Sequence, residues 1–266
     1  MAKPGNPAGD PVDPQRRRFI AAAAAGAMMP FARAGVAATP AGAPIKAIMF
    51  DAFPIFDQRS ILAAVNQRVP AQGEALGKLW FARLFPYTWL RTAAAQYAGF
   101  EVVAAQALDA AAAALGVTFA AGDREALVGS FWQMNLWPDV VERLGEFQRR
   151  GLRMAFLSNL PEAMLRANMR RTGIDHFFHA VLSTDRVRAF KPAPQAYRLG
   201  LEAFGLEKAE VAFAAFAAWD AAGASWFGYP TAWVNRLGQQ AETFGAPPTI
   251  AGHDLAVLND LLAQSG

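Results

Sequence analysis

The hydrophobic and polar positions along the chain follow two different periods. An apolar run from Ile45 to Phe50 ends at Asp51, and aromatic and turn residues follow it. Such a run predicts a buried strand that presents a carboxylate at the rim of a sheet. Residues 58–134 instead repeat their apolar positions about every 3.6 residues, with no convincing strand among them. We expect this block to form a helical cap inserted after the first strand.

From residue 135 onward, predicted strands and helices alternate. Short apolar runs predict strands, and amphipathic or turn-bounded segments predict the helices between them; the strands are expected at 152–157, 180–183, 211–216 and 231–235. This alternation is typical of a parallel, doubly wound sheet. The sequence therefore predicts an α/β fold with a core made of residues 45–57 and 135–266 and a cap made of residues 58–134.

Residues at helix ends and on helix faces give finer expectations. Gly116 is placed to end a helix that begins near Val102, and Asp123 is placed to cap the next helix, running to Met134. The segment Asp139–Arg150 is amphipathic, and four apolar residues predict its buried face: Val140, Val141, Leu144 and Phe147.

Residues 1–38 follow neither pattern. Three arginines, Arg16 to Arg18, precede Phe19-Ile20 and a small-residue apolar stretch that is about half of the roughly 20 residues needed to cross a bilayer. This order resembles a twin-arginine export signal, with cleavage after Ala34 or Ala38. We expect a periplasmic mature protein without a stable membrane anchor. The alternative is a basic tail that carries an alanine-rich helix.

Composition and charge exclude several classes of function. The chain has 266 residues and no cysteine, which rules out disulfides, thiolate metal sites and a cysteine nucleophile. Five of the 25 basic and two of the 22 acidic residues fall in residues 1–38, so the remainder carries 20 of each. A neutral body lacks the charge pattern of a nucleic-acid-binding protein.

Polar residues follow the carboxyl ends of the predicted core strands. Asp51, Ser158-Asn159 and Asp220 each follow such a strand, and Lys191 follows a short one. In a parallel sheet these ends share one rim, where ligands bind. A carboxylate, a hydroxyl, an ammonium group and a second carboxylate are the parts of a covalent hydrolase. Read singly, Ser158-Asn159 and Asp220 could instead cap the helices that follow them.

This arrangement assigns a role to each group. Asp51 would be the nucleophile, and Lys191 would keep it ionised and hold an anionic substrate group. Ser158 and the backbone N–H groups after Asp51 would bind that anion. Asp220 would orient Lys191 or the water that later cleaves the ester.

Several motifs extend the pattern across most of the chain. In chain order they are F-D-A-F-P-I-F-D, Y-T-W-L-R, L-S-N, K-P-A-P-Q-A-Y, A-W-D-A-A-G-A and F-G-Y-P-T-A-W-V-N-R. They resemble the type II L-2-haloacid dehalogenases of the haloacid dehalogenase superfamily, from about Ile45 to beyond Arg236. The resemblance implies a Rossmann-like core with a helical cap, homodimers, and no metal or other cofactor. It also implies that the residue matching Asp51 displaces halide from a small carboxylate substrate with inversion, before water hydrolyses the ester.

The resemblance extends to individual positions around the nucleophile. Further active-site residues of the family match Ser158, Asn159, Lys191, Tyr197 and Asp220. Substrate-binding positions, most of them lining its apolar pocket, match Ala52, Phe53, Phe85, Phe100 and Trp219.

Four differences from the family pattern surround the site. Pro54-Ile55 replaces a Gly-Thr-Leu turn, Phe81 replaces a cap arginine that accepts the leaving halide, and Ala215 and Ala217 replace a serine and an asparagine. Arg83 is expected roughly 200° round a helix from Phe81 and is a poor substitute for the arginine; Arg91 and Gln96 are other donors whose location the sequence does not predict. Two alternatives therefore stay open: a homologue that binds a small carboxylate without turnover, and, less favoured because Phe53 stands two residues after Asp51, a metal-dependent phosphatase.

Overall fold

A six-stranded parallel sheet forms the centre of the computed structural model, which describes residues 43–243 and 245–265. Its strands are β1 (Ala47–Phe50), β4 (Arg153–Ser158), β5 (Ala180–Ser183), β6 (Val211–Ala215), β7 (Thr231–Val234) and β8 (Ile250–Gly252). They lie in the order β5-β4-β1-β6-β7-β8, and every neighbouring pair is parallel. From β1 the chain proceeds to one side of the sheet and from β6 to the other. The switch point between β1 and β6 is where such sheets bind ligands.

Helices cover the sheet and form the inserted cap. Those between the first strand and residue 134 are α1 (Arg59–Arg68), α2 (Gly73–Ala93), α3 (Phe100–Leu115) and α4 (Asp123–Gly129). Those that alternate with the later strands are α5 (Val140–Arg149), α6 (Glu162–Thr172), α7 (Pro194–Phe204), α8 (Ala218–Phe227) and α9 (Val257–Gln264). The predicted α/β fold, a doubly wound parallel sheet with a helical cap, is confirmed.

The first strand is apolar throughout because both of its faces are covered. Ile48 and Phe50 pack into the hydrophobic layer that also includes the cap, whereas Ala47 and Met49 pack into the layer on the opposite face. Successive side chains of a strand point to opposite faces, so a buried central strand needs an unbroken apolar run. The sequence pattern therefore marked β1 correctly as a buried strand.

A short antiparallel pair closes the base of the cap. Strand β2 (Phe56–Asp57) pairs with β3 (Asn135–Leu136), with Phe56 opposite Leu136. The chain enters the cap after β2 and leaves it before β3. Two residues per strand are too few for a periodic signal, and the sequence prediction missed both.

Three local predictions were wrong. Val141 is 52% exposed, while Val140, Leu144 and Phe147 are buried, so the apolar face of α5 is narrower than predicted. Gly122, not Asp123, is the N-cap of α4, and the Asp123 carboxylate accepts a hydrogen bond from Arg68 instead. The α-helix ends at Gly129, where a 3₁₀ turn, Ser130–Trp132, takes over before Met134.

Other helix boundaries agree closely with the sequence. Gly116 and Gly173 adopt the left-handed conformation that ends α3 and α6. The helix after Lys191 begins at Pro194, which leaves Lys191 in the loop before it. No helix in the described part of the chain is long and apolar enough to cross a bilayer. The predicted export signal, residues 1–38, lies outside the described residues.

Candidate active site

Asp51 lies directly after β1, at the switch point of the sheet. Its backbone N–H donates to the Ala214 carbonyl of β6, and this bond continues the β1–β6 ladder up to the carboxylate. The side chain is 11% exposed. Its Oδ2 accepts a 3.3 Å hydrogen bond from the Phe53 N–H, and Ser158 Oγ lies 3.5 Å from its Oδ1.

Lys191 bridges two carboxylates behind the cavity. Its Nζ donates to Asp51 Oδ1 at 2.8 Å and to Asp220 Oδ2 at 2.6 Å, and the side chain is only 1% exposed. Burial by itself lowers the pKa of this ammonium group, but the charges of Asp220 and Asp51 outweigh it and raise the pKa above 10.5. Lys191 therefore remains a cation that holds the Asp51 carboxylate in place.

The second carboxylate, that of Asp220, is destabilised as an anion by its burial. Burial raises the pKa of Asp220 to about 6, against the opposing effect of Lys191, and the Asp51 charge adds to the rise. Tyr197 donates a 2.6 Å hydrogen bond to Asp220 Oδ1, and burial raises the pKa of this phenol well above 10. Asp220 is thus bound on both oxygens, by an ammonium group and by a neutral hydroxyl. Its side chain does not cap α8.

A glycine makes the Tyr197–Asp220 contact sterically feasible. A Cβ on Gly223 would lie 2.5 Å from the Tyr197 hydroxyl and 2.7 Å from Pro192 Cβ. Only glycine permits this approach of α8 to α7, since both neighbours are held in place by other contacts. The close approach accounts for the glycine in the W-D-A-A-G-A motif.

Asn159 contributes a hydrogen-bond donor that has no partner. Its Oδ1 accepts from the Lys191 backbone N–H at 2.9 Å and from Thr184 Oγ1 at 3.3 Å, which fixes the orientation of the amide. The remaining Nδ2 is buried and unpaired, and Asn159 lines the cavity in front of Asp51. Buried donors are rarely left unpaired in proteins. This donor is therefore available to a bound substrate or to its leaving group.

A cavity of about 480 Å³ opens in front of Asp51. Its walls are largely aromatic; they include Phe53, Phe81, Phe85, Phe100, Phe216 and Trp219. Phe85 and Trp89 of α2 pack on Trp219 with ring centroids 5.2 Å and 5.3 Å apart, so the cap forms one side of the cavity. The remaining lining includes Ser158, Asn159, Leu160, Ala217, Ala218, Gln58, Gln239, Gln240 and Glu242.

The structure brings the predicted residues together in two shells. Asp51, Ser158 and Asn159 reach the cavity together with Phe53, Phe85, Phe100 and Trp219. Lys191, Tyr197 and Asp220 lie behind Asp51 and are buried. Ala52 is fully buried and is not part of the cavity wall; its carbonyl accepts the turn hydrogen bonds of Ile55 and Phe56.

The unassigned cap donors do not reach the cavity wall. Arg91 binds the Gln96 carbonyl and the Gln106 side chain at the protein surface. Arg83 is likewise absent from the lining, whereas Phe81 is part of it. Among the described lining residues, only Asp51 and Glu242 carry a charge, and both are acidic.

Two residues that the site prediction missed hold the turn after Asp51. Trp137 Nε1 donates to the Phe53 carbonyl at 2.9 Å, and Arg236 Nη2 donates to the Pro54 carbonyl at 2.7 Å. The other end of the Arg236 guanidinium binds Asp139 at 2.6 Å, and Arg236 Cζ lies 5.1 Å from the centroid of the Trp137 ring. We call Trp137, Arg236 and Asp139 the turn clamp. The F-G-Y-P-T-A-W-V-N-R motif contains Arg236, but no local pattern indicates that its partner is 182 positions away.

The fold and the site define an α/β protein with a capped carboxylate–lysine centre at the switch point of its sheet. The sequence profile of the haloacid dehalogenase-like hydrolases matches residues 31–228, and the chain belongs to this family of hydrolases.

Curated relatives agree over most of their length. The chain is 34% identical over 205 residues to an (S)-2-haloacid dehalogenase from Pseudomonas sp. strain YL. The aligned region covers 77% of this chain and 88% of that enzyme. It is 32% identical to haloacetate dehalogenase H-2 from Moraxella sp. strain B, over 77% of this chain and 92% of that one.

Solved structures agree as well. A crystal structure of an L-2-haloacid dehalogenase matches with a TM-score of 0.78 at 36% identity, covering 83% of this chain and 98% of that one. The Xanthobacter autotrophicus enzyme, solved with chloropropionic acid covalently bound, matches with a TM-score of 0.76 at 30% identity, covering 82% and 98%.

Proposed function

We propose that this protein hydrolyses the carbon–halogen bond of short (S)-2-haloacids. One observation carries the proposal: the Asp51 carboxylate faces an aromatic cavity while the Lys191 ammonium binds it from behind at 2.8 Å. The names of the relatives support the same reaction, as does the covalent chloropropionic acid in the Xanthobacter structure.

In the first step Asp51 acts as the nucleophile. One of its oxygens attacks the carbon that bears the halogen, a carbon–oxygen bond forms, and the halide leaves with the bonding electrons. The 2.8 Å bond from Lys191 limits rotation of the carboxylate, which supports attack in one geometry. An apolar wall favours this step because a carboxylate with little water around it is a stronger nucleophile.

In the second step water attacks the carbonyl carbon of the Asp51 ester. The bond between this carbonyl carbon and the ester oxygen breaks, and the hydroxy product is released. Asp51 returns as a carboxylate that carries one oxygen from water. Asp220 binds the Lys191 ammonium at 2.6 Å and so orients this cation beside the ester. Of the two protons of the attacking water, one stays on the hydroxyl group that the product or Asp51 receives, and the other is released to solvent.

The departing halide requires a donor, and Asn159 offers one. Its Nδ2 is buried and unpaired, and Asn159 lines the cavity together with the aromatic residues. A preorganised donor of this kind contributes roughly 3 kcal/mol to the stabilisation of a developing anion. Asn159 can thus support halide departure even though Phe81, Ala215 and Ala217 carry no donor in their side chains.

The two alternative functions have less support. A phosphatase needs oxygen ligands for Mg²⁺, but Lys191 already occupies the space between Asp51 and Asp220, and the residue two positions after Asp51 is Phe53. A homologue without turnover is disfavoured because the buried Asp51–Lys191–Asp220 arrangement is costly to maintain and serves no purpose in binding an anion.

We further propose that the protein is exported to the periplasm and forms homodimers. Support for export is the Arg16–Ile20 motif followed by the small-residue apolar stretch. Support for a dimer is the exposure of two cap residues, Leu90 at 66% and Val102 at 50%. Fractionation of cells that express the full chain tests the first proposal, and sedimentation of the purified protein tests the second.

Halide release from a panel of 2-haloacids and 2-haloacyl derivatives tests the proposed reaction, with Asp51→Asn as the matched control. We expect release by the unmodified chain and none by the variant. Equal rates for the two proteins would overturn the proposal.

A further inference from the structure

The loop that carries Lys191 is held from both the core and the cap. It runs from the end of β5 to the start of α7, and Phe190 and Lys191 are consecutive in it. On the core side, Asn159 Oδ1 accepts from the Lys191 backbone N–H at 2.9 Å. On the cap side, Thr92 Oγ1 of α2 accepts from the Phe190 backbone N–H at 3.0 Å. Core and cap therefore bind two consecutive peptide groups beside the bridging cation.

The Thr92 hydroxyl is oriented to accept this bond. It donates its proton to the Thr88 carbonyl, one turn earlier in α2, at 2.9 Å, so its oxygen remains an acceptor for the Phe190 N–H. Phe190 itself is fully buried. Because buried N–H groups are rarely left unpaired, loss of the Thr92 oxygen would force the backbone next to Lys191 to move.

A second cap residue, Tyr97, binds the same loop nearer its start. Its hydroxyl donates to the Asp185 carboxylate, and its ring packs on that of Phe190 with centroids 5.0 Å apart. Burial and the neighbouring carboxylate raise the pKa of this phenol, so it remains a neutral donor. The bond from Arg91 to the Gln96 carbonyl holds the segment from which Tyr97 extends. Two cap side chains thus hold the loop, one at its start and one just before Lys191.

We propose that Thr92 is a positioning residue: together with Tyr97 it couples the seating of the cap to the position of the Lys191 ammonium group. This inference rests on the proposed carbon–halogen hydrolysis and adds two residues that are absent from the described cavity lining. The same helix, α2, forms part of the cavity wall through Phe85. A cap that encloses the substrate therefore also holds the cation that restrains Asp51. Displacement of a reacting group by about 1 Å can lower a rate by roughly 10²-fold.

The first test measures halide release from (S)-2-chloropropionate by variants of the full chain. Thr92→Val keeps the shape of the side chain but removes the oxygen, and should lower kcat by about tenfold while KM stays within about twofold. Thr92→Ser retains the hydroxyl group and should restore most of kcat. The matched control is Thr172→Val, since Thr172 Oγ1 donates to the Asn168 carbonyl one turn earlier in α6 at 2.7 Å. It removes the same kind of intrahelical bond and should leave kcat nearly unchanged.

The second test, proton exchange of the lysine ammonium groups, separates a positioning role from a merely structural one. Lys191 is 1% exposed, whereas the other lysines in the described part of the chain are exposed: Lys46, Lys78 and Lys208. A slowly exchanging ammonium signal in ¹H–¹⁵N spectra therefore belongs to Lys191. We expect Thr92→Val to speed its exchange several-fold, and Tyr97→Phe, which retains the ring, to do the same. Thr92→Ser and Thr172→Val should leave it unchanged.

The two tests together distinguish this inference from the proposed reaction. A lower kcat with faster Lys191 exchange in Thr92→Val, both restored in Thr92→Ser, would support the coupling. Unchanged exchange in Thr92→Val, or an unchanged kcat in a protein that releases halide, would overturn it. Exchange needs no turnover, so it decides the inference even if the unmodified chain releases no halide, a result that would overturn the proposed reaction alone. If Thr92→Val does not fold, Tyr97→Phe is judged by the same two criteria.

Discussion

Trp137 Nε1 donates a 2.9 Å hydrogen bond to the Phe53 carbonyl oxygen, which lies 84 positions earlier and two residues after Asp51. Together with the Arg236 bond to the Pro54 carbonyl, it fixes the short turn that follows the nucleophile. Backbone N–H groups satisfy the two flanking carbonyls of the turn, those of Ala52 and Ile55. The turn clamp therefore provides a rigidity that the Pro54-Ile55 sequence alone does not.

The variant Trp137→Phe tests the clamp. It retains the ring but leaves the buried Phe53 carbonyl unpaired, so we expect a loss of roughly 1–3 kcal/mol in the free energy of unfolding. Misplacement of Asp51 should lower kcat by tenfold or more while KM changes little. The matched control is Trp132→Phe, since Trp132 Nε1 donates to the exposed Glu101 carboxylate in the cap. An identical kcat for both variants would refute the positioning role of Trp137.

Removal of the bridging cation should destabilise the fold strongly. Lys191→Met leaves two buried carboxylates without a counter-ion, which typically costs about 3–5 kcal/mol. The loss should be largest near neutral pH and smaller in acid, where protonation removes the uncompensated charges. Urea unfolding measures this, with Lys78→Met as the control, because Lys78 pairs with Glu74 at the surface. A Lys191→Met loss that does not depend on pH would argue against the electrostatic role.

Asp220 should make stability depend on pH in a defined window. Because its pKa is about 6 in the folded protein and 3.8 ordinarily, the folded state binds this proton more tightly than the unfolded state does. Its contribution to stability is complete below the ordinary pKa and is lost as the pH rises through about 6. Relative to Asp220→Asn, the unmodified protein should lose stability across this window, by roughly 1.4 kcal/mol for each unit by which the folded and unfolded pKa values differ. Parallel stability curves for the two proteins would contradict the raised pKa.

The unpaired amide of Asn159 should matter for halide departure. Asn159→Asp keeps the oxygen that accepts from the Lys191 N–H but replaces the Nδ2 donor with an acceptor. We expect kcat to fall by about 10²–10³-fold. The control Thr184→Val removes only the 3.3 Å bond to Asn159 Oδ1, away from the cavity, and should cost much less. Pre-steady-state halide release measures both; comparable losses would place the effect in the fold rather than in the donor.

The sequence predicted the parts of the molecule that leave a local signal, which are periodic apolar positions and the residues that end helices and strands. The apolar run before Asp51, the strand–helix alternation and glycines such as Gly116 are local signals, and they located the sheet, the cap and the sheet rim where Asp51, Ser158, Lys191 and Asp220 meet. The contacts that the sequence did not predict join residues far apart in the chain. Trp137 and Arg236 act on a turn 84 and 182 positions away. The two-residue strands β2 and β3 are too short to show a period.

The polar lining of the cavity was missed for a similar reason. Gln239, Gln240 and Glu242 lie in an irregular segment after β7, where neither periodicity nor motif marks a residue as part of a site. Val141 shows the opposite error. It is apolar and follows the buried Val140, so it was assigned to the core, but on α5 its side chain is exposed to solvent.

The central claim is that Asp51 forms a covalent ester which water then cleaves at the carboxyl carbon. Repeated turnover of a 2-haloacyl substrate in ¹⁸O-enriched water, followed by proteolysis and mass spectrometry, tests it most directly. We predict that the peptide containing Asp51 gains the mass of the label, and that neither Asp51→Asn nor the unmodified chain without substrate does so. Halide release with the label found only in the hydroxy product, and none on Asp51, would contradict the account.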